Sequence, residues 1–358
     1  MIATLEIAPV AVPARWDGED GEDFRALADV FTRAMAHDLG SDHLRWVAAE
    51  ALPSWHDQTY VRHEGFLARR EDAVVGALQV SAPLEDDATE VEFDLLAAPE
   101  ARGEGVEEAL LDRLYAAASD LGRTVLQTWS LHPIDPAATQ LAAPTGFGAI
   151  PLDGQARLYR DNGFTLRQVE RNSRFDLTAD LEPVRRMLDA ALTAAGPDYR
   201  LVTWTAPTPD EFVEGFAYVL SRMSTDVPTG GMELTEERWD AERVRRRDAR
   251  LAAGGLTVSI AAVVHVPTGR VVAYNELGTG ADRTRPTHQW GTLVAREHRG
   301  HRLGTVVKCA GILRWRELVP ESPFISTFNA EENRPMLDVN EAIGFTPLAV
   351  AGAWQREL

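Results

Sequence analysis

The sequence predicts a mixed α/β protein that contains two copies of one unit. Short apolar runs typical of strands alternate with helical periodicities along all 358 residues. The order of hairpin, strand, loop and helix occurs twice. Part of the two copies, from the hairpin to the loop, superposes without a gap at an offset of 197 residues, which aligns Glu100 with Glu297 and Arg102-Gly103 with Arg299-Gly300. Farther on, the match is two residues out of step. We therefore expect an internal duplication with two α/β domains and mixed sheets.

The first copy is expected to occupy residues 1–178. Phe24, Leu27 and Val30 fall on one helical face, and a hairpin turns at Arg70-Glu71-Asp72. The predicted elements, in order, are a strand at 2–12, a helix at 23–35, hairpin strands at 60–70 and 73–80, a strand at 90–96, a helix from 106, and strands at 124–129 and up to 175.

The second copy is expected to occupy residues 179–358. Asp180 is a candidate N-cap, and a helix opens at Thr208-Pro-Asp-Glu211. The predicted elements, in order, are a helix at 180–195, a strand at 199–205, helices at 208–223 and 239–252, hairpin strands at 256–264 and 270–276, a strand at 289–294, a helix from 303, a strand at 324–328 and a helix at 333–345. A long loop at 224–231 separates the second and third helices.

Composition excludes several classes of function. A formal net charge of −19 argues against a nucleic-acid binder and against an anionic membrane surface, and it suits small cationic amines. Cys309 is the only cysteine, so no intrachain disulfide, cysteine-based cluster or other metal site is expected. The sequence shows neither a signal peptide nor an apolar run long enough to span a membrane. A cytoplasmic monomer or homodimer is the expectation.

A basic loop at 296–302 joins a predicted strand to a predicted helix. Arg296, His298, Arg299, His301 and Arg302 crowd around Gly300 and Gly304. The start of a helix presents unpaired backbone N–H groups and the positive end of the helix dipole, which favours an anion. Glycine lets a ligand approach the backbone closely. The loop therefore predicts a pyrophosphate site.

This stretch resembles motif A of the GNAT superfamily of N-acetyltransferases. The family's loop, Arg/Gln-x-x-Gly-x-Gly/Ala, corresponds to Arg299-Gly-His-Arg-Leu-Gly304, with Arg302 in place of the middle glycine. The resemblance implies acetyl-CoA as co-substrate and a backbone N–H of Leu293 or Val294 as the oxyanion donor. It implies the following residues as the pyrophosphate cradle: Arg299, Gly300, His301, Arg302, Leu303, Gly304 and Thr305.

Charge distinguishes the two copies. The equivalent loop of the first copy contains Glu100, Glu104, Glu107 and Glu108 against Arg102, and Glu107 occupies the position of Gly304. Each carboxylate a few ångströms from a phosphate would cost roughly a kilocalorie per mole or more. We therefore expect the first copy to be degenerate and acetyl-CoA to bind the second.

A second motif, from Asn329 to Gly344-Phe345, resembles GNAT motif B. The resemblance implies that Asn329 and Asn333 bond the pantetheine arm or the substrate, while Asn333 and Gly344 also suit the two ends of a helix. Asn340 stands where many GNATs carry a tyrosine that protonates the leaving thiolate. Asn340 is expected to be buried and to need a hydrogen-bond partner, which would be the sulfur or a backbone carbonyl.

Direct attack by an amine also requires a base and an acceptor site. Glu276 is the predicted base, and His288 on the next strand is the alternative. Asp226 in the 224–231 loop and Tyr274 are the predicted substrate contacts. The predicted function is acetyl transfer from acetyl-CoA to a primary amine of a small molecule. The alternative is a non-catalytic acyl-CoA-binding or regulatory protein, which Asn340 favours.

Overall fold

Alternating apolar residues produce the strands of the first copy. The structure, a computed structural model, describes residues 4–358. The elements of this half are β1 (Leu5–Pro9), α1 (Glu22–Leu39), α2 (Ala48–His56), β2 (Val61–Arg70), β3 (Ala73–Pro83), β4 (Glu90–Ala97), α3 (Val106–Asp120), β5 (Val125–Pro133), β6 (Gln140–Ala142), β7 (Ala149–Pro151), α4 (Gly154–Asp161) and β8 (Thr165–Asp176). The sequence analysis missed α2, which contains Pro53, and the short elements β6, β7 and α4. Positions 2–3 of the predicted first strand lie outside the described residues.

The second copy follows the predicted order closely. Its elements are α5 (Glu182–Ala195), β9 (Tyr199–Thr205), α6 (Asp210–Ser221), α7 (Met223–Asp226), α8 (Ala241–Ala253), β10 (Thr257–His265), β11 (Arg270–Thr279), β12 (Thr287–Val294), α9 (Leu303–Leu318), β13 (Phe324–Ala330), α10 (Arg334–Ile343) and β14 (Thr346–Glu357). The predicted 224–231 loop begins inside the one-turn helix α7. Asp180 accepts a hydrogen bond from the Glu182 N–H at 3.0 Å, but the N-cap residue itself is Leu181.

The described chain forms two compact units. Within the described residues, unit 1 comprises the chain up to 170 together with 229–235 and 349–358, and unit 2 comprises 171–228 and 236–348. The last strand therefore completes unit 1, where β14 pairs with β5 antiparallel from Ala349 to Glu357. The division at 178/179 stays a prediction about the two copies of the sequence.

Each unit has a mixed sheet with one parallel strand pair. Unit 1 has the strand order β1-β2-β3-β4-β5-β14, in which β4 and β5 are parallel. Unit 2 has the order β9-β10-β11-β12-β13, with β8 next to β13, and β12 and β13 are parallel. Helices α3 and α9 pack on these sheets through apolar residues such as Leu110 and Val306.

The parallel pair is short in both units. In unit 2 only Thr287↔Ile325 and His288↔Ser326 are paired, and β12 and β13 diverge beyond them. In unit 1 the pairing of β4 with β5 ends at Glu92↔Gln127. Backbone and side chains that would otherwise face a neighbouring strand instead border a wedge of open space. This wedge lies at the same place in both copies.

The duplication is visible in the positions of the elements. β4 and β12 have matching first and last residues at an offset of 197. Helices α3 and α9 also begin 197 residues apart, and each follows a residue with a left-handed backbone, Gly105 at φ 82° and Arg302 at φ 57°. The order read from the sequence therefore reflects two copies of the same structural unit.

Residues at the C-terminus should control the stability of unit 1. Trp354 is fully buried, and its Nε1–H donates to Ser130 Oγ at 2.8 Å. We expect Trp354→Ala to lower the free energy of unfolding by about 3–5 kcal/mol, because it leaves a large cavity. Chemical denaturation measures this loss.

The matched control is Leu358→Ala, since Leu358 is 52% exposed. This change should leave the unfolding midpoint nearly unaltered. Equal stabilities of the Trp354→Ala and Leu358→Ala variants would contradict a supporting role of β14 in the first unit.

Candidate functional site

A cavity of ≈ 750 Å³ occupies the wedge beside β12 in unit 2. Three walls enclose it: the end of β12 with the basic loop and the start of α9, the first turns of α10, and the segment that follows α7. The lining residues are Thr225, Asp226, Val227, Pro228, Thr292, Leu293, Val294, Arg296, Arg299, Gly300, Arg302, Leu303, Gly304, Thr305, Glu332, Asn333, Pro335, Met336 and Val339.

The basic loop reaches α9 through two left-handed residues. Gly300 has φ 87°, and Arg302, at the N-cap position, has φ 57°. No side chain caps α9, so its first backbone N–H groups are available to a ligand. A Cβ atom at position 304 would contact only the Val294 side chain, at 3.8 Å. The space beside Gly304 is therefore open. Together with three arginines, this geometry suits a diphosphate.

Arg299 is fixed by the backbone on both sides of the cavity. Its Nε donates to Val294 O at 3.2 Å, and its Nη2 donates to Asp226 O at 2.8 Å. An arginine held by carbonyl oxygens keeps its full charge and has N–H groups left over for an anion. This arrangement ties the α7 segment to the basic loop.

Asp226 lines the cavity, and one oxygen of its carboxylate is already engaged, whereas Oδ2 has no hydrogen-bond partner. Its Oδ1 accepts from Arg222 Nη2 at 2.6 Å and lies 3.8 Å from Arg296 Nη2. Burial would raise the pKa of Asp226, but these arginines outweigh burial and hold the pKa below its ordinary value. The carboxylate therefore anchors the arginines, and its predicted role as an ammonium site stays a prediction.

Helix α10 forms the opposite wall. Asn333 stands at its N-cap position, although its side chain makes no capping bond, contrary to the expectation from sequence. Pro335 lies in the first turn, and Gly344 ends the helix in a left-handed conformation at φ 113°, as expected. Met336 and Val339 border the cavity, and Val339 also packs against the core.

Asn340 is buried, as expected, and finds its partner in a side chain. Its Nδ2 donates to Asn329 Oδ1 at 2.7 Å, whereas its Oδ1 has no hydrogen-bond partner. Asn329 is thereby turned toward Asn340, and neither residue lines the cavity. Asn329 and Asn340 thus form a hydrogen-bonded pair. Asn340 lies one helical turn after Met336 on α10.

The predicted catalytic and acceptor-binding side chains on β11 lie outside the cavity lining. Glu276 is buried and ion-paired with Arg247. Burial raises the pKa of Glu276, and Arg247 opposes this shift. Tyr274 is buried edge-on against Phe216, and burial raises its pKa well above the ordinary value. His288 lies in the last parallel pair before β12 and β13 diverge.

Most of the predicted cofactor residues are brought together. Those that line the cavity are Leu293, Val294, Arg299, Gly300, Arg302, Leu303, Gly304, Thr305 and Asn333. His301 instead contacts Tyr199, with the two rings tilted at 42° and their centroids 5.1 Å apart. Sequence reasoning missed Val227, Pro228, Met336 and Val339 as lining residues. The only sequence signal for any of these four residues was the spacing of Met336 and Val339 after Asn333.

Unit 1 has a smaller cavity, of ≈ 480 Å³, at the equivalent place. Four carboxylates line it, namely Asp38, Glu107, Glu108 and Asp153. Asp38 forms a bidentate ion pair with Arg102, the counterpart of Arg299. Glu107 Oε2 accepts from the Gly103 N–H at 3.4 Å. Carboxylates of the protein therefore take the basic side chain and the backbone group that an anionic ligand would use.

The described residues, 4–358, contain no cluster of histidine, cysteine, aspartate and glutamate suited to a metal ion. Over the same range, no helix is long and apolar enough to cross a membrane.

Comparison with solved structures places this fold. No family model and no curated protein matches the sequence. The chain is similar to a tandem GNAT protein from the clavulanic acid biosynthesis pathway, at 25% identity, with 99% of this chain and 98% of that chain covered and a TM-score of 0.74.

Two further structures are similar in fold. One is a GCN5-related N-acetyltransferase from Sphaerobacter thermophilus, at 14% identity, with 99% and 95% of the two chains covered and a TM-score of 0.58. The other is a fungal multi-domain GH3 β-N-acetylglucosaminidase with a GCN5-related glucosamine N-acetyltransferase region, at 12% identity, with 99% and 38% covered and a TM-score of 0.60. The tandem GNAT fold predicted from the sequence is confirmed.

The left-handed position before α9 gives a test by residue exchange. Arg302 stores backbone strain there, whereas Gly105 meets the same requirement without strain. We expect Arg302→Gly to keep the free energy of unfolding or raise it by up to about 1 kcal/mol. The reverse change, Gly105→Arg, should lower it by about 1 kcal/mol. Urea denaturation of both variants measures the two effects. A lower free energy of unfolding in Arg302→Gly would contradict the claim that the backbone at Arg302 is strained.

Proposed function

We propose that unit 2 of this tandem GNAT protein binds acetyl-CoA in the cavity beside β12 and transfers the acetyl group to a primary amine of a small molecule. One observation carries the proposal: the cavity is bordered by Arg296, Arg299 and Arg302 at an uncapped helix start. The pyrophosphate of the co-substrate would contact these arginines and the backbone N–H groups from Leu303 onward. The pantetheine arm would then follow β12 toward the point where β12 and β13 meet.

The acceptor is proposed to be a small molecule rather than a nucleic acid. The net charge of −19 repels polyanions and favours cationic amines. The similar protein at 25% identity is described as part of clavulanic acid biosynthesis, which supports a small-molecule acceptor for this chain as well.

Glu276 is proposed to remove the proton from the attacking amine, with His288 as the alternative. The pKa of Glu276 is raised by burial, which makes this carboxylate a better proton acceptor near neutral pH. Its strand, β11, pairs with β12, opposite Trp290-Gly291, where the register shifts. Trp290 is 40% exposed and faces Arg247 at 5.9 Å. The acceptor would approach Glu276 along this exposed ring.

A non-catalytic acyl-CoA-binding protein is the second candidate function. It is favoured by Asn340, which has no transferable proton at the position of the family tyrosine. Release of free thiol from acetyl-CoA with polyamines, aminoglycosides and amino-acid amides separates the two. Binding of CoA without turnover on any amine would support the second candidate, and no binding of CoA would exclude both.

The two copies provide a matched pair of variants for the binding site. We expect Arg299→Ala to weaken acetyl-CoA binding roughly tenfold to a hundredfold, because a charge-assisted hydrogen bond is worth about 1.5–3 kcal/mol. The control is Arg102→Ala at the same loop position of unit 1, where Asp38 already occupies the guanidinium. It should leave the affinity unchanged. Isothermal titration calorimetry measures both, and a larger loss with Arg102→Ala would place the donor site in unit 1.

Glu276→Gln tests the base. We expect a fall in kcat/KM of roughly a hundredfold or more, with loss of the acidic limb of the pH–rate profile and no change in acetyl-CoA affinity. An unchanged profile would remove Glu276 from this role, and the same experiment with His288→Gln would then test the alternative.

A further inference from the structure

Three elements that border the cavity each carry a buried polar residue just beyond the lining. These residues are Gln289 on β12, Lys308 on α9 and Asn340 on α10, exposed by 6%, 0% and 1%. Each has a side-chain atom with no hydrogen-bond partner: Gln289 Oε1, Lys308 Nζ and Asn340 Oδ1. Buried polar atoms are seldom left unpaired in folded proteins. All three residues lie on elements that border the cavity, although none of them lines it. A ligand that extended past the lining residues would meet this set.

Lys308 lies one helical turn beyond the cavity. It follows Gly304 by four residues and Thr305 by three, so all three share a helix face. Long side chains on a helix lean toward its N-terminus, which here is the cavity end of α9. Gly304 has no side chain to obstruct that direction. The Lys308 ammonium lies 5.5 Å from the ring centroid of Phe345. Phe345 is in turn joined to α10 by its N–H, which donates to Asn340 O at 2.9 Å.

Gln289 approaches the same region from the sheet. Its cross-strand neighbour is Leu277, which packs with Cys309 and Ile312 of α9, so Gln289 faces α9 as well. Gln289 Nε2 donates to Thr327 Oγ1 at 2.7 Å, directly after the last parallel pair of β12 with β13. The inner end of the wedge is therefore polar on its β12, β13 and α10 sides.

Packing alone does not require a lysine at position 308. The equivalent position of unit 1, on the same face of α3, holds Leu111, which is buried equally well. Lys308 is also the only lysine in the 358 residues. An unpaired buried ammonium costs free energy in any protein, and burial lowers the pKa of Lys308 to about 7. A buried charge that lowers stability without improving the packing is typical of a functional residue.

We propose that Lys308 is the acid that protonates the leaving thiolate of CoA, an inference that rests on the function proposed above. The amine nitrogen attacks the thioester carbon, the carbon–sulfur bond breaks, and its electron pair stays on sulfur. A proton moves from Lys308 Nζ to that sulfur and yields free thiol. The neutral amine of Lys308 then regains a proton from solvent, which balances the proton lost by the acceptor.

The surroundings of Lys308 suit this transfer. Cys309 is the titratable neighbour on its own helix, and burial raises the pKa of this thiol to about 12, so it stays neutral. Phe345 and Asn340 on the α10 side, and Gln289 on the β12 side, carry no charge. Nothing in this set competes with a thiolate for the ammonium, whose N–H bonds have no acceptor among the described residues.

The test measures the pKa of the CoA thiol in the complex, through the ultraviolet absorbance of the thiolate. An ammonium close to sulfur should lower this pKa by about one unit or more relative to free CoA. In Lys308→Leu, which copies the residue of unit 1, the shift should disappear. Lys308→Arg should keep a lowered thiol pKa, since it keeps the charge. Both variants should lose kcat roughly a hundredfold, because guanidinium does not give up its proton.

Two results would overturn the inference. One is a bound thiol whose pKa equals that of free CoA in the unaltered protein, and the other is a thiol pKa that is the same in Lys308→Leu. In either case CoA still binds, so the proposed function survives. A failure of CoA to bind the unaltered protein would instead contradict the proposed function itself.

Stability provides the control for folding. The folded-state pKa of Lys308 lies below its unfolded value, so the unfolded chain binds more protons between about pH 7 and pH 10.5. The loss of folding stability caused by burying the Lys308 ammonium is complete below pH 7 and disappears as the pH rises toward 10.5. Lys308→Leu should therefore be more stable than the unaltered protein at pH 7, with a difference that shrinks at higher pH. A less stable variant would contradict the unpaired burial of the ammonium.

Discussion

The separation of two parallel strands is the feature on which the rest of unit 2 depends. β12 and β13 pair over only two residues, and their divergence opens the space that becomes the cavity. The α9 N-terminus lies beside this opening because the basic loop is short and passes through two left-handed residues. Helix α10 closes the other side because Asn333 starts it soon after β13 ends. A fully paired sheet would leave no room for a ligand and no reason for three arginines to converge.

The two copies show how one backbone supports opposite electrostatics. Both have a short parallel pair, a left-handed residue and an uncapped helix start at matching positions. In unit 1 Asp38 binds Arg102 and Glu107 approaches the loop backbone, so the protein supplies its own anions. In unit 2 Arg299 is held by carbonyl oxygens, which leave its charge unneutralised. The fold is shared, and the two cavities differ in side-chain charge as well as in volume.

Three buried polar residues of unit 2 lie on the elements that border the cavity. Gln289, Lys308 and Asn340 would each destabilise an ordinary core, since each retains a polar atom without a partner. The equivalent helix position of unit 1 is filled by Leu111, an apolar residue that satisfies the same packing. For Lys308, this contrast supports the chemical role proposed above. It also offers an answer to the absence of a tyrosine at position 340, since the acid need not lie on α10 if an ammonium on α9 reaches the same sulfur.

The sequence by itself determined the repeat, the order of the main elements and the basic loop, because periodicity, glycine positions and local charge are written in neighbouring residues. It missed α2, whose Pro53 obscures the helical pattern. Only the tertiary structure decided which distant residues meet. Asp226 turns toward Arg222 and Arg296, Glu276 is paired with Arg247, and Met336 faces the cavity rather than the core. The partner of a charged group and the side of a helix that borders open space depend on how elements pack, and local sequence does not encode that packing.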